Sequence, residues 1–187
     1  MKDRPNFNEL SKQVYEANKT KGFHDEEQSN ETLFMLVVTE LAEAVEADRK
    51  GRRANIEEYN SLMKGYTPSD SPITFVHLFE THIKDTIEDE LADAAIRLFD
   101  LAGLRGYSPM KDALLCATVS KKKTFPENIF SICKDIAYYK YSESERVSYA
   151  ILNIERLCEI MNIDLWYHVD LKLKYNETRG YKHGKLY

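Results

Sequence analysis

The sequence predicts an all-α fold, a single helical bundle of long antiparallel helices spanning residues 1–187. The first observation behind this is the scarcity of helix breakers. The chain has 7 Gly and 5 Pro in 187 residues, against an average usage of roughly 12%. The second is their placement, since none falls within 23–50, 73–102 or 127–179. Uninterrupted stretches of that length favour helices over turn-rich sheets. The third is apolar spacing of three and four residues inside those stretches, the period of one helix face.

The elements follow in order. A first helix is expected over Asn6 to Asn18, with Asn6 or Asn8 as its N-cap. A second runs from Ser29 to Lys50; Val37, Leu41 and Ala44 form its stripe and Gly51 is a natural stop. A short helix over Ile56 to Met63 precedes the clearest loop, 65–72, which carries Gly65, Pro68 and Pro72. A third long helix is expected from Thr74 to Leu104, striped by Ile83, Ile87, Leu91, Leu98 and Leu101 and ended by Gly103 and Gly106. Residues 110–123 suit a further short helix. Helices over 127–140 and 143–161 follow, and a last one runs from an Asp164 N-cap to Arg179, with Gly180 at its C′ position.

Composition excludes several function classes. The longest purely apolar run, Leu33 to Val38, is far short of the roughly 20 residues a membrane span needs. A net charge of −5 provides no global basic field for duplex nucleic acid. Cys116, Cys133 and Cys158 form an odd, widely spaced set beside apolar neighbours, which reads as buried reduced thiols in a cytoplasmic protein. The N-terminal Met1-Lys2-Asp3-Arg4-Pro5-Asn6 has no apolar run of the kind a secretory signal carries.

Two acidic pairs stand out. Glu40 and Glu43 are three apart on the second helix, and Glu90 and Asp93 are three apart on the third, so each pair shares a face. Both border an apolar stripe, where ionised carboxylates are costly unless neutralised. Antiparallel packing of the two helices would bring four carboxylates together, an oxygen-only set suited to Mg²⁺ or Mn²⁺. A di-iron site built on Glu-x-x-His is disfavoured, because none of the five histidines has Glu three residues before it. A solvated acidic face is the plainer alternative. Arg97, one turn beyond Asp93, either pairs with that acid or forms a surface ion pair.

Lys172, Asn176 and Arg179 stand at i, i+4 and i+7, one face of the last helix. An ammonium, an amide and a guanidinium there are donors suited to phosphate oxygens. Lys182, His183 and Lys185 add further donor or cationic groups on a short tail. Basic residues favoured by the helix dipole at a solvated end are the alternative.

Glu40-x-x-Glu43 followed by Glu90-x-x-Asp93 resembles the ExxE…ExxD signature of the all-α nucleoside triphosphate pyrophosphohydrolases, specifically the MazG-like branch. Lys172-x-x-x-Asn176-x-x-Arg179 followed by Tyr181-Lys182-His183-Gly184-Lys185 resembles the C-terminal motif of that superfamily, which its dimeric dUTPases carry in related form. The resemblance covers residues 30–105 and 164–187, while 107–163 matches no part of it. Two departures stand beside it: Thr39 precedes Glu40 where many members have a second acid, and 46 residues separate the two motifs. The resemblance implies Mg²⁺-dependent hydrolysis of a nucleoside triphosphate to the monophosphate and pyrophosphate. It implies Glu40, Glu43, Glu90 and Asp93 as metal ligands, with Glu40, ahead of Glu43, also taking a proton from the attacking water. Lys172, Arg179, Lys182 and Lys185 would then bind phosphates, Asn176 the sugar or base, and His183 would complete the tail. A homodimer or homotetramer is expected on the same ground. A narrower dUTPase- or dCTPase-like hydrolase and a non-enzymatic helical interaction module are the competing readings.

Overall fold

The computed structural model describes residues 2–109 and 118–184. Among them the chain is all-helical, with no strand. Its elements are α1 (Phe7–Thr20), α2 (Asn30–Arg49), α3 (Ile56–Leu62), α4 (Pro72–His82), α5 (Ile87–Arg105), α6 (Phe125–Ile136), α7 (Glu143–Met161) and α8 (Leu165–Thr178), followed by a 3₁₀ turn at Tyr181–Gly184. No helix among the described residues is long and apolar enough to cross a membrane.

Helix starts are fixed locally. Every helix except α4 begins on a side chain that accepts a bond from a first-turn N–H: Asn6, Ser29, Asn55, Thr86, Thr124, Ser142 and Asp164. Thr124 with Glu127 and Ser142 with Glu145 complete reciprocal capping boxes.

α2 and α5 pack antiparallel. Asn30 meets Arg105 at one end (2.7 Å), Glu40 meets Arg97 midway (2.5 Å), and the Ile87 N–H reaches the Arg52 carbonyl at the other end (3.3 Å). α5 is the central helix. Leu91, Ala94, Ala95, Leu98 and Phe99 are fully buried along it, within a main core shared with α1, α2, α6, α7 and the start of α8. A second, smaller core joins α3 and α4 to the rest of α8, where the Phe79 and Tyr175 rings stack at 4.3 Å.

Several sequence expectations are corrected. The third long helix is two helices, α4 and α5, parted at Ile83–Thr86. Asp85 is left-handed there (φ 59°). The Thr86 hydroxyl donates to the Ile83 carbonyl (2.6 Å) and accepts from the Asp89 N–H (3.3 Å), so it closes one helix and opens the next. Ile83 accordingly packs in the smaller core and not in the α5 stripe. α6 stops at Ile136, with Tyr138 to Lys140 turning the chain towards the Ser142 cap. Of the short helix expected over 110–123, residues 118–123 are not helical and 110–117 lie outside the described residues. α8 does not end in a left-handed Gly180. Arg179 is its extended C-cap (φ −83°, ψ 149°), and the Lys21 ammonium binds the terminal carbonyls of Glu177 and Arg179 (2.9 and 2.5 Å). Cys133 is partly exposed and Cys158 buried; both are free thiols, and Cys116 lies outside the described residues.

Gly103 lies inside α5, at its crossing with α1. A Cβ there would stand 2.4 Å from the Ser11 carbonyl oxygen and 2.6 Å from the Tyr15 Cβ. Gly103→Ala is expected to lower stability by about 1–3 kcal/mol through overpacking, even though Ala is the better helix former by about 1 kcal/mol. Gly180→Ala, with no atom within 4 Å and an ordinary φ, should be near neutral. Equal melting temperatures for the two variants would refute the close-approach role.

Candidate metal centre and the cleft beside it

The break before α5 places Glu88, Asp89 and Glu90 in the first turn of that helix. Unpaired N–H groups and the positive end of the helix dipole favour carboxylates there. One turn on, Asp93 lies on the face turned to α2, and Glu40 projects from α2 to meet it. One ligand oxygen from each of Glu40, Glu90 and Asp93 lies within 4.8 Å of the other two. Glu40 and Glu90 are buried, and Asp93 is partly exposed. The antiparallel register thus unites three of the four acids that sequence spacing nominated. Glu43 stays outside the group. It is exposed, on a groove lined also by Glu46, Lys50, Asp85 and Glu90.

Two cations are already built in. Lys172, 5% exposed, directs its ammonium to both carboxylate oxygens of Asp89 (2.9 Å each) and to Asp93 (2.8 Å). Arg97 pairs with Glu40, not with Asp93. Burial opposes the Lys172 charge, but Asp93 and Asp89 outweigh it and hold its pKa well above the usual lysine value. Burial raises the Asp89 carboxyl, with Lys172 pulling the other way. Glu90 is the exception in the group: no hydrogen bond from the described residues reaches its carboxyl. Burial first, then Asp89 and Asp93, push its pKa up to about 9, so it carries a proton at neutral pH when no further cation is present.

The donor set fits a hard divalent cation. Four carboxyls, those of Glu40, Asp89, Glu90 and Asp93, face two cations, Arg97 and Lys172. Full ionisation leaves two negative charges, which one Mg²⁺ or Mn²⁺ neutralises, and all the available ligand atoms are oxygens.

Beside the cluster opens a cleft, part of it continuous with solvent, lined by Asp93, Arg97, Asn176, Arg179 and His183 among others. The α8 face splits accordingly. Lys172 is committed to the carboxyls, whereas Asn176 and Arg179 face the cleft. Lys182 lies over the Tyr181 ring (5.9 Å), and Lys185 lies outside the described residues. The tail is fastened to the α1–α2 loop. The Lys182 N–H donates to the Lys21 carbonyl (2.8 Å), Tyr181 OH to Asp25 (2.6 Å), and the His183 ring packs on Phe23 at 5.0 Å. Gly22, at φ 82°, makes room for it, because a Cβ there would lie 2.0 Å from the Tyr181 ring.

Sequence reasoning missed Asp89, although its i,i+4 spacing from Asp93 marks one helix face as well as i,i+3 does. It also missed His24 and Asp100, which pair at 2.9 Å in the cleft. They are 76 residues apart, and no local pattern links them.

An acid whose folded pKa is raised binds more protons folded than unfolded between its two pKa values, so stability falls as pH rises through that window. From about pH 4.5 to 9 the metal-free protein should therefore lose stability. Glu90→Gln should flatten this dependence, and Mg²⁺ should flatten it in the wild type. Melting curves against pH check this, and a wild type as pH-independent as the variant would refute it. Lys172→Met strips Asp89 and Asp93 of their buried partner. Loss of about 3–5 kcal/mol is expected, partly restored by millimolar Mg²⁺; denaturant unfolding with and without the ion measures both.

No family model, curated protein or solved structure gives a significant match to the chain.

Proposed function

We propose that the protein is a Mg²⁺-dependent hydrolase of the all-α pyrophosphohydrolase type, cleaving a nucleoside triphosphate to the monophosphate and pyrophosphate. The observation that carries this reading is the convergence of Glu40, Glu90 and Asp93 from two antiparallel helices at the edge of a cleft that also presents Arg97 and Arg179. The two acidic motifs and the C-terminal Lys172–Asn176–Arg179 face support it independently.

Glu40, Glu90 and Asp93 would hold the metal. Bound there, Mg²⁺ supplies neutralisation of phosphate oxygens and acidifies a water. The base role falls to Glu43 ahead of Glu40. Arg97 engages the Glu40 carboxylate (2.5 Å), which commits one of its oxygens. Glu43 is exposed on the groove that Glu90 lines, and no hydrogen bond or ion pair from the described residues reaches it. Its carboxylate would accept the proton of the water that attacks the α-phosphorus. The bond from that phosphorus to the α–β bridging oxygen breaks, and pyrophosphate leaves. Arg179, on the cleft wall, would stabilise the charge gathering on the β- and γ-phosphates. Lys172 is too deeply buried for that task; it fixes the Asp93 carboxylate in position.

Pyrophosphate release from a panel of nucleoside triphosphates tests the reading. Asp93→Asn should lose turnover together with Mg²⁺ affinity. Glu43→Gln should lose on the order of 10²–10⁴-fold in kcat while keeping Mg²⁺ affinity. Absence of pyrophosphate release from every triphosphate, or full activity in both variants, overturns the proposal.

A further inference from the structure

The lining of the cleft includes Asp100 as well as Asp93. Along α5, Asp93, Arg97 and Asp100 stand at i, i+4 and i+7, a single face. Asp100 therefore lies about 10 Å along the helix axis from Asp93 at ~1.5 Å per residue, comparable with the span from an α-phosphate across a sugar to the far edge of a base. Phe23, Leu33 and Ile96 give the same cleft apolar walls, as a planar ring requires.

Three polar groups on the cleft offer acceptors, beside Arg97, Arg179 and His24, which also line it. Asp100 is a buried residue, with its side chain 13% exposed. One of its oxygens pairs with His24 Nε2 at 2.9 Å, and no other hydrogen bond from the described residues reaches it. Two amide oxygens on the same cleft, Gln28 Oε1 and Asn176 Oδ1, are buried without a hydrogen-bond partner. A buried acceptor left without a donor costs free energy that a ligand N–H recovers. Either amide can turn its NH₂ into the cleft, but a carboxylate presents acceptors in every orientation. It attracts an amino group and repels a carbonyl oxygen.

We propose that this cleft is a nucleobase pocket that selects bases bearing an exocyclic amino group (cytosine, adenine or guanine) over uracil and thymine, with Asp100, oriented by His24, as the specificity-determining acceptor. The inference rests on the proposed nucleotide chemistry of the adjoining carboxyls. It runs against a uracil-specific enzyme.

Calorimetric titration of the full chain with dCMP, dAMP, dGMP, dUMP and dTMP in Mg²⁺ tests it. At least one amino-bearing nucleotide should bind on the order of 10- to 100-fold more tightly than dUMP and dTMP, the value of one satisfied buried hydrogen bond to a charged group. Asp100→Asn should close that gap, and Gln28→Met should narrow it. Equal affinity for all five, a preference for dUMP or dTMP, or a gap unchanged in Asp100→Asn overturns the proposal. If Asp100→Asn fails to fold, the wild-type ranking decides alone. Failure of the two proposals is separable. Selective monophosphate binding without pyrophosphate release from the matching triphosphate overturns only the hydrolase reading. Equal pyrophosphate release from all five triphosphates overturns only the base selection.

Discussion

The ammonium of Lys172 is the point on which the molecule turns. It lies between Asp89 and Asp93 at 2.8–2.9 Å and joins α8 to the acidic start of α5. Without it, two carboxylates at the rim of the main core would face each other with no counter-charge, a heavy penalty at low dielectric. The same contact sits where the two hydrophobic cores meet. Phe79 and Tyr175 of the smaller core lie within 5.6 and 5.8 Å of the ammonium, so one charge serves electrostatics and packing together.

A second constraint concentrates the acids. Thr86 and the left-handed Asp85 part α4 from α5, so Glu88, Asp89 and Glu90 fall in a first helical turn, where free N–H groups favour them. Glu88 is absorbed structurally, by Arg53 and the Ala54 N–H. Asp89 is absorbed by Lys172. Glu90 is left with neither, and burial beside Asp89 and Asp93 holds its pKa well above the usual carboxylate range. The helix break thus separates acids that hold the fold together from acids that remain available.

The C-terminal strap links this centre to the cleft. Lys21 caps α8 and Tyr181 covers Gly22, so the loop carrying Phe23 and His24 is fixed by the tail that carries His183. The wall of the cleft that this loop forms is therefore supported by the C-terminal tail. Rigid support of this kind is what a recognition surface needs if it is to discriminate ligands by single hydrogen bonds.

Much of this was legible in the sequence. Breaker placement and apolar spacing determined that the chain is helical, and local caps such as Ser142 with Glu145 set the helix boundaries, because these effects act within one or two turns. Glu40, Glu90 and Asp93 were nominated by three-residue spacing, which a rigid helix converts into a shared face. The Thr86 cap was present in the sequence, but an apolar stripe running from Ile83 into Ile87 hid the break it makes. What only the tertiary structure decided is which charges meet. Lys172 goes to Asp89 and Asp93 rather than to the cleft, Arg97 to Glu40, and His24 to Asp100, while Glu43 is left in solvent. Those partnerships span 57 to 83 residues, and they depend on helix crossing and register, which no local pattern encodes.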